Sequence, residues 1–199
     1  MSKVDVWFDT RAAQLPSLHG YVLYAALCRV QPAIHTAEGV GVHTVHGERV
    51  GPRRIAPVRG ARLGLRLPAE ALPLALPLAH RQLDLDGCVV QLGTFEVAPL
   101  RPARSLSTWM ATIKNATEEG AFVDAVEHQL AALGVAATVE VGPRKVQRIA
   151  GKAVVGFALR LHHLSEDDSL LLQAEGVGGR RRMGCGVLRA SSVHPPEQA

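Results

Sequence analysis

A glycine-rich segment near the carboxyl end of the chain carries three consecutive arginines. It covers residues 176–186 and reads Gly-Val-Gly-Gly-Arg-Arg-Arg-Met-Gly-Cys-Gly, followed by two apolar residues. Glycine lets the backbone turn through positive φ and bring its N–H groups close to another molecule. Arginine adds a permanently charged planar fork that suits phosphate oxygens. The pattern predicts a loop that binds a polyanion, and a solvated basic hairpin is the alternative. The residues assigned to this contact are Gly176, Gly178, Gly179, Arg180, Arg181, Arg182, Gly184 and Gly186.

A second group of cations lies at residues 142–152, which read Gly-Pro-Arg-Lys-Val-Gln-Arg-Ile-Ala-Gly-Lys. Because side chains alternate faces along a strand, residues 144, 146 and 148 share one side and residues 145, 147 and 149 the other. Such a hairpin could contact the phosphates of an RNA stem, which position a protein without reading sequence. The alternative is a solvated sheet edge whose charges prevent strand pairing. The candidate RNA-binding residues here are Arg144, Lys145, Arg148 and Lys152.

The chain contains nine histidines, which raises the question of a metal site. His43 and His46 have no acid or cysteine companions at ligand spacing, and neither do the adjacent His162 and His163. Neighbouring residues on a strand also point to opposite faces. We therefore predict no metal site and no cofactor.

Two other histidines are candidates for acid–base chemistry. His19 lies at the start of the first predicted helix, beside Gly20 and Tyr21, and His35 lies just past the end of that helix. An imidazole titrates near neutral pH and can transfer protons. Spacing alone does not separate a catalytic histidine from an inert one in a loop.

Composition limits the class of protein. The 199 residues are 47% hydrophobic and 20% charged, which is enough apolar material for a folded core. The formal net charge of +4 and the clustering of the arginines favour a nucleic-acid partner. Aromatic residues make up only 4%, which argues against a surface that stacks many bases. Three widely spaced cysteines and the lack of a long apolar run indicate a soluble, cytoplasmic protein without membrane contact.

The first half of the chain predicts the element order β-α-β-β-α-β. Residues 3–8 alternate as a strand, and residues 18–30 carry a helical stripe formed by Leu18, Tyr21, Ala25 and Cys28. Strands follow over residues 39–45 and 62–67, then a helix over residues 68–80 that two prolines interrupt. A hairpin over residues 83–92 turns at Asp86 and Gly87.

The second half predicts a further copy of this order. A strand over residues 105–114 precedes a helix over residues 118–133, which Gly134 ends. Two strands over 138–148 and 152–161 meet around Ala150 and Gly151, Ser165 opens a short helix, and a last strand begins at Val187. The predicted fold is α+β, with two tandem ferredoxin-like (RRM-like) domains over residues 1–98 and 99–199 and a carboxyl-terminal glycine-rich loop.

Three segments in this order resemble the CRISPR-associated endoribonucleases that cut precursor CRISPR RNA within its repeats, the sixth-numbered Cas family. The most specific is the glycine-rich loop at residues 176–186, before the closing strand. The other two are residues 15–24 with 34–39, and residues 152–157 after the basic hairpin. The chain is especially similar to the compact variants found with type I effector systems.

The resemblance implies a metal-independent endoribonuclease that matures guide RNA. A ribose 2′-hydroxyl would attack the scissile phosphate and leave a 2′,3′-cyclic phosphate. The implied partners are a CRISPR repeat RNA stem-loop and the other Cas subunits of a type I effector complex, to which the protein could stay bound. One alternative is a non-catalytic RNA-binding subunit of the same complex, and the other is a ferredoxin-like protein unrelated to RNA that merely has a basic surface.

The resemblance also assigns candidate catalytic residues. His35 best matches the catalytic histidine of the family, which follows the first helix, and His19 is the second candidate. Tyr21 or Tyr24 could orient the base or the phosphate, although a tyrosine on this helix is more often part of the core.

Overall fold

The computed structural model describes residues 2–191 and shows an α+β chain whose paired strands are all antiparallel. The predicted α+β class is thereby confirmed. Two units divide the described residues. The first unit holds residues 2–100 together with Arg181–Gly184, and the second holds residues 101–180 and 185–191. The predicted boundary at residue 98 lies two residues from the observed change of unit, and four residues of the glycine-rich segment group with the first unit.

The first unit contains eight strands and two α-helices in the part of the chain described. In chain order these are β1 (Lys3–Arg11), β2 (Leu15–Pro16), α1 (Gly20–Val30), α2 (Ala33–Thr36), β3 (Gly41–His43), β4 (Gly47–Gly51), β5 (Arg54–Pro57), β6 (Arg62–Pro68), β7 (Gln82–Leu85) and β8 (Cys88–Pro99). The main sheet has the order β3-β6-β1-β8-β7, and a small sheet has the order β2-β5-β4. A 3-10 helix over Ala69–Leu78 connects β6 to β7.

The sequence patterns explain most of these elements. Val6 and Phe8 on β1 are fully buried, as the period-two alternation predicts. Asp86 and Gly87 both have positive φ, which is the backbone of the tight turn that joins β7 to β8. The interrupted helix is a 3-10 helix, since Pro73 and Pro77 have no N–H to donate within it.

The buried face of α1 differs from the predicted stripe. Leu18 lies before the helix and is 44% exposed, while the buried residues of the helix are Gly20, Leu23, Tyr24, Ala26 and Leu27. Almost all residues of α1 are themselves apolar, so the period of the sequence does not indicate which face of the helix is buried. Tyr24 therefore points inward, and Tyr21 is only half-buried.

The second unit contains four strands and two helices among the described residues. They are β9 (Ser105–Ala111), α3 (Glu119–Ala132), β10 (Thr138–Ile149), β11 (Lys152–His162), α4 (Glu166–Glu175) and β12 (Arg189–Ala190). The sheet has the order β10-β11-β9-β12. Phe122, Val126 and Leu130 bury the inner face of α3, and the Ser165 hydroxyl accepts a hydrogen bond from the Asp168 N–H at the start of α4.

The last strand is shorter than predicted. It covers only Arg189–Ala190 and pairs with β9, whereas Val187 and Leu188 are buried core residues that precede it. Buried apolar residues next to a sheet resemble a strand in sequence, and this similarity explains the difference. Within residues 2–191, no helix combines the length and apolar character needed to span a bilayer.

Candidate functional site

His35 lies in the single-turn helix α2, where its side chain is exposed. Its Nδ1 is 3.2 Å from the hydroxyl oxygen of Tyr24, which is buried on α1. The two rings are also stacked, with centroids 6.2 Å apart. One ring nitrogen is therefore engaged by the fold while the exposed side chain can meet a substrate, which is the arrangement required of an acid–base group.

The backbone around His35 is held by Arg182. The guanidinium Nη1 donates to the carbonyl oxygen of His35 at 2.8 Å, and Nη2 donates to the carbonyl oxygen of Ala37. These carbonyls lie at the end of α2, where the helix leaves its last C=O groups without intrahelical partners. Arg182 was predicted to contact RNA phosphates, but in the structure its fork binds the segment that carries the histidine.

The Tyr24 hydroxyl has a mixed electrostatic environment. Burial raises its pKa above the ordinary value, and the neighbouring Cys28 thiol raises it further, while the charge of Arg182 acts in the opposite direction. Burial likewise raises the pKa of Cys28. Tyr24 therefore stays a neutral hydroxyl at physiological pH, able to donate or accept a hydrogen bond at His35.

His19 has a structural setting that does not match the catalytic role predicted for it. Its side chain is buried, with Nδ1 2.8 Å from the carbonyl oxygen of Pro16 and Nε2 accepting from the Val45 N–H at 2.9 Å. Burial lowers its pKa, against the hydrogen bond to Pro16. Both nitrogens are occupied and the ring is kept neutral, so His19 connects the start of α1 to the residues after β3.

Tyr24, rather than Tyr21, contacts the candidate histidine. Tyr21, three residues earlier on α1, is only half-buried. Tyr24 follows at helical spacing on the buried face, and its hydroxyl reaches His35. The sequence pattern gives no reason to prefer one tyrosine over the other. The structure distinguishes them because Tyr24 is buried and Tyr21 is only half-buried.

The glycines of residues 176–186 serve the fold. All five backbone N–H groups assigned to the RNA contact donate within the protein, to Leu172 O, Gln129 Oε1, Thr112 O, Arg181 O and Met110 O in chain order. Gly186 has φ +65°, and a Cβ there would overlap the Val177 carbonyl oxygen. These N–H groups are therefore engaged within the fold, and close backbone packing explains the glycines, while the contact of this segment with RNA stays a prediction.

The arginines next to Arg182 have different environments. Arg180 is exposed and has φ +60°, whereas Arg181 is half-buried. Arg181 begins a 3-10 turn, Arg181–Met183, which belongs to the first unit. The three consecutive arginines therefore differ in exposure and in the groups they contact.

The β10–β11 hairpin presents most of its predicted cations to solvent. Arg144, Arg148 and Lys152 are exposed, Gln147 and Ile149 are buried, and Lys145 is half-buried. The Lys145 Nζ lies 5.8 Å from the centre of the Trp109 ring, on the side opposite Arg144 and Arg148. The predicted alternation is confirmed, and Ala150 and Gly151 form the turn with positive φ.

A buried ionic group lies on the main sheet of the first unit. Asp5 accepts from Arg66 through both carboxylate oxygens at 2.8 Å and lies 2.9 Å from Nε2 of His43. Burial alone raises the pKa of Asp5, but the hydrogen bonds from His43 and Arg66 outweigh it and hold that pKa well below its ordinary range. His43 is thus part of a structural ion group, and no set of three or more potential ligands for a metal occurs among residues 2–191.

Three comparisons place the chain among known proteins. A sequence model of the family described as Cas6 Crispr matches residues 4–192. The CRISPR-associated endonuclease Cas6 of Myxococcus xanthus (strain DK1622) is 42% identical over 184 residues, which are 92% of this chain and 80% of that protein.

Two solved structures share the fold at low sequence identity. The product of a Cas6-related gene from Pyrococcus furiosus superposes with a TM-score of 0.66 at 10% identity, over 99% of both chains. Thermus thermophilus Cse3, bound to an RNA representing a pre-cleavage complex, gives 0.57 at 13%, over 95% of this chain and 98% of that one. The resemblance drawn from the sequence is confirmed, and the chain belongs to the Cas6 CRISPR family.

Proposed function

We propose that the protein is an endoribonuclease that cuts CRISPR repeat RNA to produce mature guide RNA. The observation that carries this proposal is the exposed His35 side chain, with Nδ1 held by Tyr24, in a chain 42% identical to a Cas6 endonuclease. When Nδ1–H donates to the Tyr24 hydroxyl oxygen, the lone pair lies on Nε2, which is the atom able to accept a proton from a substrate.

The proposed reaction is an internal transesterification of RNA. His35 Nε2 removes the proton from the 2′-hydroxyl, the 2′-oxygen attacks phosphorus, and the bond to the 5′-oxygen breaks. The leaving oxygen takes a proton, which gives a 2′,3′-cyclic phosphate and a 5′-hydroxyl end. A histidine supplies the proton transfers, so this route needs no metal ion.

The proposed fold is a pair of ferredoxin-like units. In the second unit the order β10-β11-β9-β12 is the one that a β-α-β-β-α-β chain adopts, and in the first unit β3-β6-β1-β8 has the same order with β7 added at the edge. The 3-10 helix over Ala69–Leu78 takes the place of the second helix in the first unit.

The proposed RNA contacts are arginine and lysine side chains. Arg144, Arg148, Lys152 and Arg180 are exposed cations able to bind phosphates. Thermus thermophilus Cse3, a neighbour in fold, is described bound to RNA, which supports a repeat RNA as the partner here. We further propose that the product stays bound and that the complex joins other Cas subunits.

A cleavage assay with a cognate repeat RNA in excess EDTA tests the function. We expect two products, with the upstream one ending in a 2′,3′-cyclic phosphate that mass spectrometry identifies. Binding without cleavage would instead support a non-catalytic RNA-binding subunit. Cleavage that EDTA abolishes would contradict the proposed chemistry, and absence of binding would contradict the RNA partner.

A further inference from the structure

We infer that Arg182 is a positioning residue that fixes the α2 backbone so that His35 meets its substrate in one orientation. The inference rests on the proposed function of His35. Arg182 would thereby act in the cleavage step, whereas the sequence pattern predicts that it binds an RNA phosphate.

The contacts of Arg182 are directed at the histidine-bearing turn. Nη1 donates to His35 O and Nη2 to Ala37 O, across 147 and 145 positions of sequence. One planar fork therefore ties two carbonyls that are two residues apart, which restrains both the position and the tilt of the turn. A lysine ammonium is a point donor and cannot reproduce this planar geometry.

The turn is anchored in the core by the fully buried Ile34, and Arg182 restrains the backbone at its carboxyl end. The helix α2 has four residues, and a single helical turn is not stable by its own hydrogen bonds. His35 itself is exposed, and its side chain has one hydrogen bond within the described structure, to Tyr24. A small displacement of reacting groups, of about 1 Å, can slow an enzyme about 100-fold.

Arg182 is itself fixed at its base. The neighbouring Met183 packs against the core of the first unit, and its carbonyl lies so close to Gly20 that a Cβ on that residue would overlap it. Gly184 approaches the side chain of Thr44 in the same way. The backbone next to this arginine therefore packs directly against the start of α1. From that fixed position the guanidinium reaches the carbonyls of α2.

The same geometry argues against a primary role in binding RNA. Arg182 is half-buried, and two of its N–H donors face protein carbonyls. By contrast, Arg180 is exposed. Loss of a positioning group lowers the rate of the bound complex, while loss of a phosphate contact lowers affinity and the dependence of affinity on salt.

Single-turnover cleavage of a saturating repeat RNA separates the two roles. We expect Arg182→Ala to lower the rate constant about 10- to 100-fold. Its Kd for an uncleavable 2′-deoxy repeat should stay within about threefold of the wild-type value, with an unchanged salt slope. Addition of methylguanidinium should restore part of the rate of Arg182→Ala and none of the rate of His35→Ala. Arg182→Lys should be slower than the wild type because it cannot span both carbonyls.

Arg29→Ala is the matched control, since Arg29 also donates to a distant backbone carbonyl, that of Asp84 at 2.9 Å, in the same unit. We expect it to cleave at the wild-type rate. A wild-type rate at saturation in Arg182→Ala, with weaker binding and a shallower salt slope, would overturn the inference. If Arg182→Ala does not fold, a wild-type rate in Arg182→Lys would overturn it equally.

An NMR measurement keeps this inference separate from the proposed function. The His35 ring signals can be assigned by their loss in His35→Ala. In the wild type they should show a single tautomer with the proton on Nδ1, and in Arg182→Ala an average of the two tautomers. Identical His35 spectra would contradict positioning even if the wild-type protein cleaves. A wild-type protein that does not cleave would contradict the proposed function, while the spectra would still decide the role of Arg182.

Discussion

The corner formed by α1 and α2 and the β10–β11 hairpin both carry polar groups, but they use them differently. At the corner, Tyr24, His35 and Arg182 are bonded to one another or to the backbone. On the hairpin, Arg144, Arg148 and Lys152 are exposed, although Arg144 also donates to the Thr117 carbonyl oxygen at 3.3 Å. Groups fixed in advance suit chemistry that needs a defined geometry, and exposed cations suit an extended polyanion. Variants of the first region should therefore change rate or stability, and variants of the second should change binding.

The largest effect should follow loss of the imidazole. We expect His35→Ala to reduce the single-turnover rate constant about 100- to 10,000-fold, because a positioned acid–base group contributes that much to proton transfer. RNA affinity, measured by filter binding, should change less than about twofold. His128→Ala, an exposed histidine on α3, is the control. Full activity in His35→Ala would remove the distinction between the two regions.

The buried ion group of the first unit should show a large effect on stability. Asp5→Asn removes the charged acceptor of Arg66 and His43, and breaking such a buried pair costs about 3–5 kcal/mol of unfolding free energy. Asp9→Asn is the control on the same strand, since its ion pair with Arg62 is largely exposed. Denaturant unfolding measures the loss of unfolding free energy in both variants. Equal losses would contradict the stabilising role of the buried ion group.

The Asp5 carboxylate should also make the unfolding free energy depend on pH in the acidic range. Because the pKa of Asp5 is lowered in the fold, its contribution is present above the ordinary carboxyl pKa and is lost as pH falls below it. The wild-type unfolding free energy should decrease from about pH 5 downward more steeply than that of Asp5→Asn. Parallel curves would show that Asp5 is not the group involved.

His19 allows a test of a histidine with a structural role. His19→Asn should lower the unfolding free energy by about 1–3 kcal/mol, since the Val45 N–H loses its buried acceptor. Its lowered pKa means that stability is complete above the ordinary histidine pKa and decreases as pH falls below about 6.5. Below the thermal transition, folded His19→Asn should cleave at the wild-type rate, and a loss comparable to that of His35→Ala would move the catalytic role to His19.

The smallest effect should come from the hairpin. Arg144→Ala combined with Arg148→Ala should weaken binding about tenfold and make the salt slope shallower by about 1.4–1.8, as expected for two lost phosphate contacts. The rate constant at saturating RNA and the stability should not change. Arg160→Ala, which removes an arginine paired with Glu140 on the neighbouring strand, is the control. A lower rate constant at saturating RNA, with unchanged affinity, would contradict the proposal that the hairpin serves binding and not cleavage.

Local patterns predicted most of the elements. The period-two alternation of β1, the turn at Asp86 and Gly87 and the cap at Ser165 each depend on residues close in sequence. The small sheet of β2, β4 and β5 was not predicted, because β2 has only two residues and its partners have no alternating apolar pattern.

The site was predictable only in part, since its contacts join distant segments. The position of His35 after the first helix identified the candidate histidine. Its link to Arg182 crosses 147 residues, and no local pattern encodes it. The preference for Tyr24 over Tyr21 depends on which face of an almost wholly apolar helix is buried, and that is decided by packing. The glycines of residues 176–186 fit backbone packing and ligand approach equally well in sequence, because both require the same residue type, and the packing is visible only in the fold.

The proposed cleavage requires an imidazole to activate a ribose hydroxyl next to the scissile phosphate. The most direct test is a repeat RNA with a single 2′-deoxy nucleotide immediately upstream of that phosphate, incubated with the wild-type protein. We expect this RNA to bind with the affinity of the all-ribose RNA and to remain uncut at that bond. Cleavage of the deoxy substrate at the same bond would contradict the proposed chemistry.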